Sequence, residues 1–592
     1  MAASLPRARL RRGAASAIGS ALVIGLLPLG AFLSLAGCHG SPSSESRPYN
    51  VLFISLDSAR QDALDVYGRR PRLAAREKTS PSLDQLAGDG VRLLDAYATA
   101  PWTMPSHMSM MTGQPTLVHG AETFFQTLDG SRPLLAELLK DHGYRTVGVF
   151  SGPYLEPSWG FARGFERYLA AYGQDVVDAS REAAGLRTRI VDAKARHDDA
   201  GLDGLMRRQQ DVYQRVEQLS ERDVSADQVT STVLDELARL GRGPDPWFLF
   251  AHYFDPHYDY VPPHPYDTRF DPDYAGTMTG VDFIHNPAIA VHDPERPDDW
   301  MRHVADRDLA HLVALYEGEV AWVDAHVGTV LARLDELGLT RRTLVIVVGD
   351  HGDEFFEHGG IGHHRTLYEE AVKVPMLLRL PGVLPAGKTV RGPVSVADLM
   401  PTVLDVVHVP IPDGLAAASL LPLVEGHGDA PGAFARLVTL RPGSATLDGQ
   451  TVVTVRQVTV QEAYWKGGIK ITRRRSWPQF APNVGGEAKA ALQQEADAEF
   501  GHEDLRWIDL ARFPAEGDAD HATQFTDPAA RAALASFRAR YGALVALRTT
   551  SPKARPSDEV VHRLQGLGYV DGAAAEFWAE SPDAVLPPPG AG

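Results

Sequence analysis

Asn50–Leu56 reads NVLFISL, and the next residue is Asp57. An unbroken apolar run of this length is the pattern of a strand covered on both faces, as in a parallel sheet between helices. Similar runs recur at Thr146–Phe150, Trp247–Tyr253, Thr343–Val348 and Pro375–Leu380. Helical spacing fills the intervals. One helix is expected over Pro133–His142, stopped by Gly143, and another from Asp308 to about Leu337. The alternation predicts an α/β fold, a large mostly parallel sheet flanked by helices. Past residue 430 the pattern changes. Val438–Leu440, Thr451–Val460 and Gly468–Thr472 alternate as antiparallel strands, and Pro528–Leu547 reads as a helix. That predicts a smaller C-terminal α+β domain.

The expected organisation is a signal peptide over 1–37, a tether over 38–48, a catalytic domain over 49–430, a C-terminal subdomain over 431–550 and a tail over 551–592. Within the catalytic domain, 174–223 is rich in Arg, Asp, Glu and Gln and reads as an exposed helical insert; a substrate-covering lid is the alternative. The first 37 residues carry Arg7, Arg9, Arg11 and Arg12, no Asp or Glu, and an uncharged, mostly apolar stretch from Gly13 to Gly37. The stretch closes on Leu35-Ala36-Gly37-Cys38, a lipobox pattern that predicts export and a lipid anchor at Cys38; an uncleaved membrane anchor is the alternative. Cys38 is the only cysteine, so an intrachain disulfide, a cysteine-based zinc site and a cysteine nucleophile in the folded body are excluded. Formal net charge is −18, and becomes −22 once the four leader arginines are removed. An acidic body of this kind argues against nucleic acid as a partner.

Four places carry residues suited to chemistry. Asp57 ends the first buried strand, where ligands bind in open α/β sheets, or else caps the following helix. Thr103, in PWTMPSHMSMMTG (Pro101–Gly113), stands where Pro105 marks a helix start. It is either a group at an anion-binding helix N-terminus or a simple N-cap. Asp350 and His351 leave another buried strand together, and Asp353, Glu354, His358, His363 and His364 follow closely. Such density of carboxylate and imidazole suits a metal or catalytic site. His252, Asp255 and His257 follow a fourth strand.

In order along the chain, NVLFISLDSARQDALDVYG, SPSLDQLAGDGVRLLDAYATAPWTMPSHMSMMTG, VALYEGEVAWVDAHVG, VGDHGDEFFEHG, YEEAVKVPMLLRLPG, VSVADLMPTVLDVV and LQGLGYVDG resemble segments of the sulfatase-type members of the alkaline phosphatase superfamily. The resemblance spans roughly Pro48 to Thr550. It implies an alkaline-phosphatase-like fold and makes Asp57, Asp350 and His351 ligands of one divalent metal ion. Thr103 takes the nucleophile position. His257 and His364 fall where family members contact the transferred group or leaving group, with His363 able to replace His364. His107 and His252 are secondary candidates. Sulfatases proper carry a Cys or Ser, matured to formylglycine, where Thr103 stands, and an Arg where His107 stands. They commonly have two adjacent Asp where Asp57-Ser58 stands and Asp-Asn where Asp350-His351 stands. The set here is more similar to phosphonate- and phosphodiester-type members and to the lipoteichoic-acid-synthase type, which uses Thr.

The implied function is metal-dependent hydrolysis of sulfate or phosphate/phosphonate esters through Thr103. Mn²⁺ or Zn²⁺ is favoured by the mixed O/N donors, with Ca²⁺ or Mg²⁺ the alternatives. Two other readings stay open: a transferase moving a phospho-headgroup onto envelope lipid or glycan, and an inactive binding lipoprotein with the same fold. The expected partners are a small-molecule, lipid or glycan ester and, through the anchor, a membrane at the periplasmic or extracellular face.

Overall fold

The computed structural model describes residues 48–549 except 70, 71, 75, 124, 125, 129, most of 173–225, 282, 285, 293–299, 448, 449, 481–502, 518 and 519. The leader and Cys38, most of the charged insert and the tail with LQGLGYVDG therefore lie outside the described residues.

Eight strands form the main sheet: β1 Asn50–Leu56, β2 Val91–Leu93, β3 Arg145–Phe150, β4 Arg167–Ala170, β5 Trp247–Tyr253, β6 Thr343–Gly349, β7 Met376–Arg379 and β8 Lys388–Val390. Their order is β8-β2-β7-β6-β1-β5-β3-β4. All seven residues of β1 are buried, and they alternate between two cores. Val51 and Phe53 join one core with Met104, Met108, Leu135, Leu139, Leu399 and Val403. Leu52, Ile54 and Leu56 join the other with Leu83, Leu86, Val229, Val233, Val323 and Val327. Successive side chains of a strand point to opposite faces, so a strand with helices on both sides needs apolar residues on both, and its two polar residues, Asn50 and Ser55, are hydrogen-bonded. The covering helices are Thr103–Thr112, Leu135–Asp141 and Leu399–Val406 on one face. Pro81–Gly88, Ala226–Leu240 and Asp306–Glu336 cover the other.

The sheet is mostly parallel, as expected. Strand β7, from the run at Pro375–Leu380, is the exception and pairs antiparallel with both β6 and β2. The chain returns from β6 to β7 through a loop and a two-stranded ribbon, Glu354–Phe355 against Ile361–Gly362, without a crossover helix. Antiparallel neighbours need none.

The C-terminal part is a four-stranded antiparallel sheet in sequence order: Ala433–Leu447, Gln450–Lys466, Ile469–Phe480 and Asp504–Asp509. The helix Pro528–Leu547 packs Ala533, Phe537 and Leu544 on Phe434, Tyr464 and Ile471 of that sheet. Asp527 caps it, accepting from the amides of Ala529 at 2.7 Å and Ala530 at 3.1 Å. Its Pro528 occupies the first helical turn. No helix among the described residues is long and apolar enough to cross a membrane.

Candidate active site

Strands β5, β1 and β6 lie side by side and end level: Leu56 is in register with Tyr253 on one side and Gly349 on the other. Asp57 and Asp350 are therefore the first residues beyond the carboxyl ends of adjacent parallel strands. Each is tied to the neighbouring strand, the Asp57 amide to the Tyr253 carbonyl at 2.9 Å and the Asp350 amide to the Leu56 carbonyl at 3.3 Å. Asp57 caps nothing: the short helix at Gln61–Ala63 has Arg60 at its cap position and no side-chain cap bond.

Thr103 is the first helical residue of Thr103–Thr112, and Trp102, in extended conformation, holds the cap position. The hydroxyl is thus free of any capping duty. Its Oγ1 lies 3.3 Å from Asp57 Oδ2 and 3.3 Å from His351 Nε2. His351 Nε2 in turn stands 3.3 Å from Asp57 Oδ1 and 3.5 Å from Asp350 Oδ2. Asp57, Asp350 and His351 are fully buried, and Thr103 is 3% exposed. Nucleophile candidate and ligand candidates share one closed space.

Two imidazoles not assigned a leading role by sequence close the ring. His252 Nδ1 donates to the Ser151 carbonyl at 2.5 Å, which leaves Nε2 pointing at Asp57 Oδ2 3.3 Å away. His107 Nδ1 donates to the Thr103 carbonyl at 2.8 Å, and its Nε2 accepts from Ser55 Oγ at 2.8 Å. That fixes the neutral tautomer, and burial holds His107 down at about 3.

Opposed effects set the charges of the centre. Burial works against ionising Asp57, but the imidazoles of His252 and His351, each with Nε2 3.3 Å from one of its oxygens, outweigh it and keep its carboxyl well below the usual range. Burial and the charge on Asp57 push Asp350 well up. Burial disfavours charge on His351, yet Asp350 and Asp57 beside it lift it to about 9.

The residues fit a divalent cation. One oxygen or nitrogen from each of Asp57, Asp350 and His351 lies within 4.8 Å of the others. Asp350 Oδ2 and His252 Nε2 are buried and have no hydrogen-bond partner among the described residues. Buried polar atoms without partners are costly, and these two face the same small region, where a cation would satisfy both.

The remaining candidates form a second tier. His363 is 5% exposed, and its Nδ1 donates to Asp353 Oδ1 at 2.7 Å; Tyr260 donates to the other oxygen of Asp353 at 2.7 Å. Its ring is 4.3 Å from that of His351 and 5.0 Å from that of His257. His257, stacked on Phe254, is buried and held at about 3 by desolvation. His364 is displaced towards the nucleophile segment: its amide donates to the Pro101 carbonyl at 2.9 Å and its ring lies 4.8 Å from Trp102. The structure thus brings Asp57, Thr103, Asp350, His351, His252 and His107 into direct contact, with His363 and His257 alongside and His364 at the edge. Asp353 stood in the sequence as one of a dense group, but its pairing with His363 and Tyr260 had no local signal. Ser151, which orients His252, had none either.

The sulfatase family model matches residues 49–409. The chain belongs to the sulfatase family. Sulfatase-family enzymes bind a divalent metal ion, and this sulfatase-family chain is a hydrolase of the class acting on sulfuric or phosphoric ester bonds. It is 24% identical over 445 residues to an N-acetylglucosamine-6-O-sulfatase of Bacteroides thetaiotaomicron, covering 69% of this chain and 76% of that one. It is 25% identical over 365 residues to human arylsulfatase K, covering 58% of this chain and 61% of the relative. Its fold superposes on the phosphonate monoester hydrolase of Agrobacterium radiobacter with a TM-score of 0.54 at 21% identity, covering 85% and 95% of the two chains.

Proposed function

We propose that the chain hydrolyses phosphorus esters, phosphate diesters or phosphonate monoesters, through Thr103 as an unmodified hydroxyl nucleophile. The observation that carries the reading is the position of Thr103 Oγ1, 3.3 Å from both Asp57 and His351 and relieved of capping by Trp102. Asp57, Asp350 and His351 would hold one divalent metal ion, with His252 Nε2 in reserve. Mn²⁺ or Zn²⁺ suits these oxygen and imidazole donors better than Ca²⁺ or Mg²⁺. When bound, that ion lowers the pKa of a hydroxyl beside it and draws charge from the ester.

In the first step the Thr103 hydroxyl gives its proton to Asp57 Oδ2, the carboxylate oxygen 3.3 Å away, and Oγ1 forms a bond to phosphorus, while the bond from phosphorus to the leaving oxygen breaks. The amides at the start of Thr103–Thr112 face the developing negative charge. The leaving oxygen takes a proton from an imidazole of the second tier, His257, His363 or His364, once the negative charge of the bound ester has raised that imidazole from the low value at which burial holds it. Water then attacks phosphorus and gives a proton to that imidazole, while the bond to Thr103 Oγ1 breaks and Oγ1 takes its proton back from Asp57. An inactive binding lipoprotein has no use for a buried hydroxyl and four converging polar groups.

The two substrate classes among the relatives are sulfate esters and phosphonate esters. Thr103 favours the second. A formylglycine hydrate has two hydroxyls and can expel sulfate by collapsing to the aldehyde; a threonine has one, so its adduct must be opened by water at the transferred atom. We also propose that the chain is exported and lipid-anchored through Cys38, on the support of the sequence. A panel of matched sulfate, phosphate monoester, phosphate diester and phosphonate compounds tests the activity. Faster turnover of sulfate than of every phosphorus ester overturns it.

A further inference from the structure

The segment bearing His363 and His364 has little regular structure of its own. After the ribbon at Ile361–Gly362 it makes one helical turn, Glu369–Val372, before β7 begins at Met376. Its position is set from outside. The Arg365 carbonyl accepts from Gln461 Nε2 at 2.9 Å, and the Leu367 carbonyl accepts from Lys470 Nζ at 2.7 Å. Both donors come from the C-terminal sheet, on neighbouring strands. The Glu369 amide donates to Glu516 Oε2 at 3.1 Å. The Glu369 side chain accepts from Trp465 Nε1 at 2.8 Å and from Tyr97 at 3.1 Å. At its other end the segment is tied to the nucleophile strand of chain, through the His364 amide on the Pro101 carbonyl.

Lys470 is the centre of this attachment. It is fully buried, its Nζ 2.5 Å from Glu516 Oε1, 3.6 Å from Glu369 Oε1 and 5.0 Å from the Trp465 ring. Trp465 faces it directly across the strand pair. A buried ion pair adds little net stability over a well-packed apolar residue, because desolvation offsets the attraction. What it supplies is one discrete arrangement, with the ammonium donating to one carbonyl and paired in charge with two carboxylates. Gln461 repeats the device one strand away.

We propose that Lys470 and Gln461 are positioning residues, which set the His363–His364 segment over Thr103 and so make the C-terminal sheet a working part of the catalytic centre. They act through the Arg365 and Leu367 carbonyls. The proposal rests on the reading above, taken with His363 or His364 as the imidazole that protonates the leaving oxygen. A leaving group that needs no proton should therefore be indifferent to these residues, and one that needs it should not.

The test uses Gln461→Leu, a mild change at a half-buried position, and Lys470→Met, with two diesters. One releases p-nitrophenol and the other an alkyl alcohol. In both variants kcat for the alkyl ester is expected to fall at least about tenfold further than kcat for the p-nitrophenyl ester, since general acid assistance is worth about 10² to 10⁴ in rate. KM should change little. Hydrogen exchange, read by mass spectrometry on the same proteins, should quicken in residues 361–368 and not in 50–56. Equal losses on the two esters, or unchanged exchange in 361–368, overturn the proposal. If the unaltered protein turns over neither ester, the hydrolase reading fails. The exchange result then decides the attachment alone: quickening confined to 361–368 supports it, and no change overturns it.

Discussion

Replacing Thr103 by alanine removes one hydroxyl and one methyl from a site 3% exposed. The effect on stability follows from the contacts. No cap is lost, because Trp102 holds that position. The two hydroxyl contacts are long, 3.3 Å each, and together contribute about 1 kcal/mol. The buried methyl contributes about another 1 kcal/mol. Asp57 keeps its contacts with His252 and His351, so no charge is stranded. The variant is expected to be less stable by about 2 kcal/mol, small enough for the protein to stay folded.

Catalysis sets a different scale. If Oγ1 is the atom that bonds to phosphorus, its removal leaves only binding and electrostatic assistance. A loss of about 10³ to 10⁵ in kcat/KM is expected, or about 4 to 7 kcal/mol of barrier. The two effects differ by several kcal/mol and are measured separately, by urea unfolding and by initial rates on a phosphonate or diester at saturating metal. Thr103→Ser keeps the hydroxyl and should retain activity within about a hundredfold, which is under 3 kcal/mol of barrier. Mass spectrometry of the unaltered protein quenched during turnover should find the phosphorus-containing group on the peptide containing Thr103. An alanine variant that is folded, metal-loaded and within tenfold of the unaltered rate refutes the reasoning.

Three further outcomes are expected. Asp57→Ala or Asp350→Ala should lose bound metal and most activity without unfolding, read by elemental analysis of the purified proteins; full metal content in both would sink the ligand assignment. His119 is buried away from the metal candidates and held at about 3, because burial outweighs its bond to the Pro105 carbonyl. Below pH 6.5 the unfolded chain takes up a proton there that the folded chain refuses, so stability falls as pH drops from 6.5 towards about 3, by at most about 1.4 kcal/mol per unit. His119→Gln should flatten the dependence of the urea midpoint on pH by one proton, and an unchanged slope contradicts the argument. Cys38→Ala should abolish incorporation of a fatty-acid probe while leaving turnover by the folded body intact; undiminished labelling counts against the anchor.

The parts of the fold that the sequence announces are those whose pattern is local. NVLFISL predicts a strand covered on both faces because its apolar residues, Val51 to Ile54 and Leu56, fall on both, and the structure puts Val51 and Phe53 into one core and Leu52, Ile54 and Leu56 into the other. Asp527-Pro528 marks the start of the helix Pro528–Leu547 because a cap and a first-turn proline are adjacent in the chain. The direction of β7 was not legible, since an apolar run has no sense of direction and only the absence of a crossover helix decides it. Of the strand Ala433–Leu447 the alternation predicts only Val438–Leu440, and its far end is hidden because it passes through Pro442 and Gly443, residues that ordinarily break strands. Within the site, Asp57 and Asp350-His351 stand out because each follows a strand. His252 on Asp57, Asp353 on His363 and Lys470 on Leu367 are contacts between separate segments of chain, and nothing near any of these residues in sequence foretells its partner.

His107 bears on the choice between sulfur and phosphorus. In the resemblance to sulfatases it stands in place of an arginine, a permanent cation one turn beyond the nucleophile. Here the same position is neutral, with both ring nitrogens engaged inside the protein, one on the Thr103 carbonyl and one on Ser55. It also lies 3.5 Å from Asp350 Oδ2, so it braces the start of the helix against the strand end that offers the ligand. A brace of this kind holds Thr103 in place but cannot neutralise charge on the transferred group. Compensation for that charge falls to the metal position and to the helix amides, both on the side of the nucleophile. Such a centre is suited to an attacking oxygen that must be activated and then released by water. It lacks the second hydroxyl with which formylglycine frees sulfate, and it lacks the neighbouring arginine. Of the two departures from the sulfatase pattern, one helical turn apart, it is the missing second hydroxyl that supports the proposal that Thr103 carries a phosphoryl group and gives it to water.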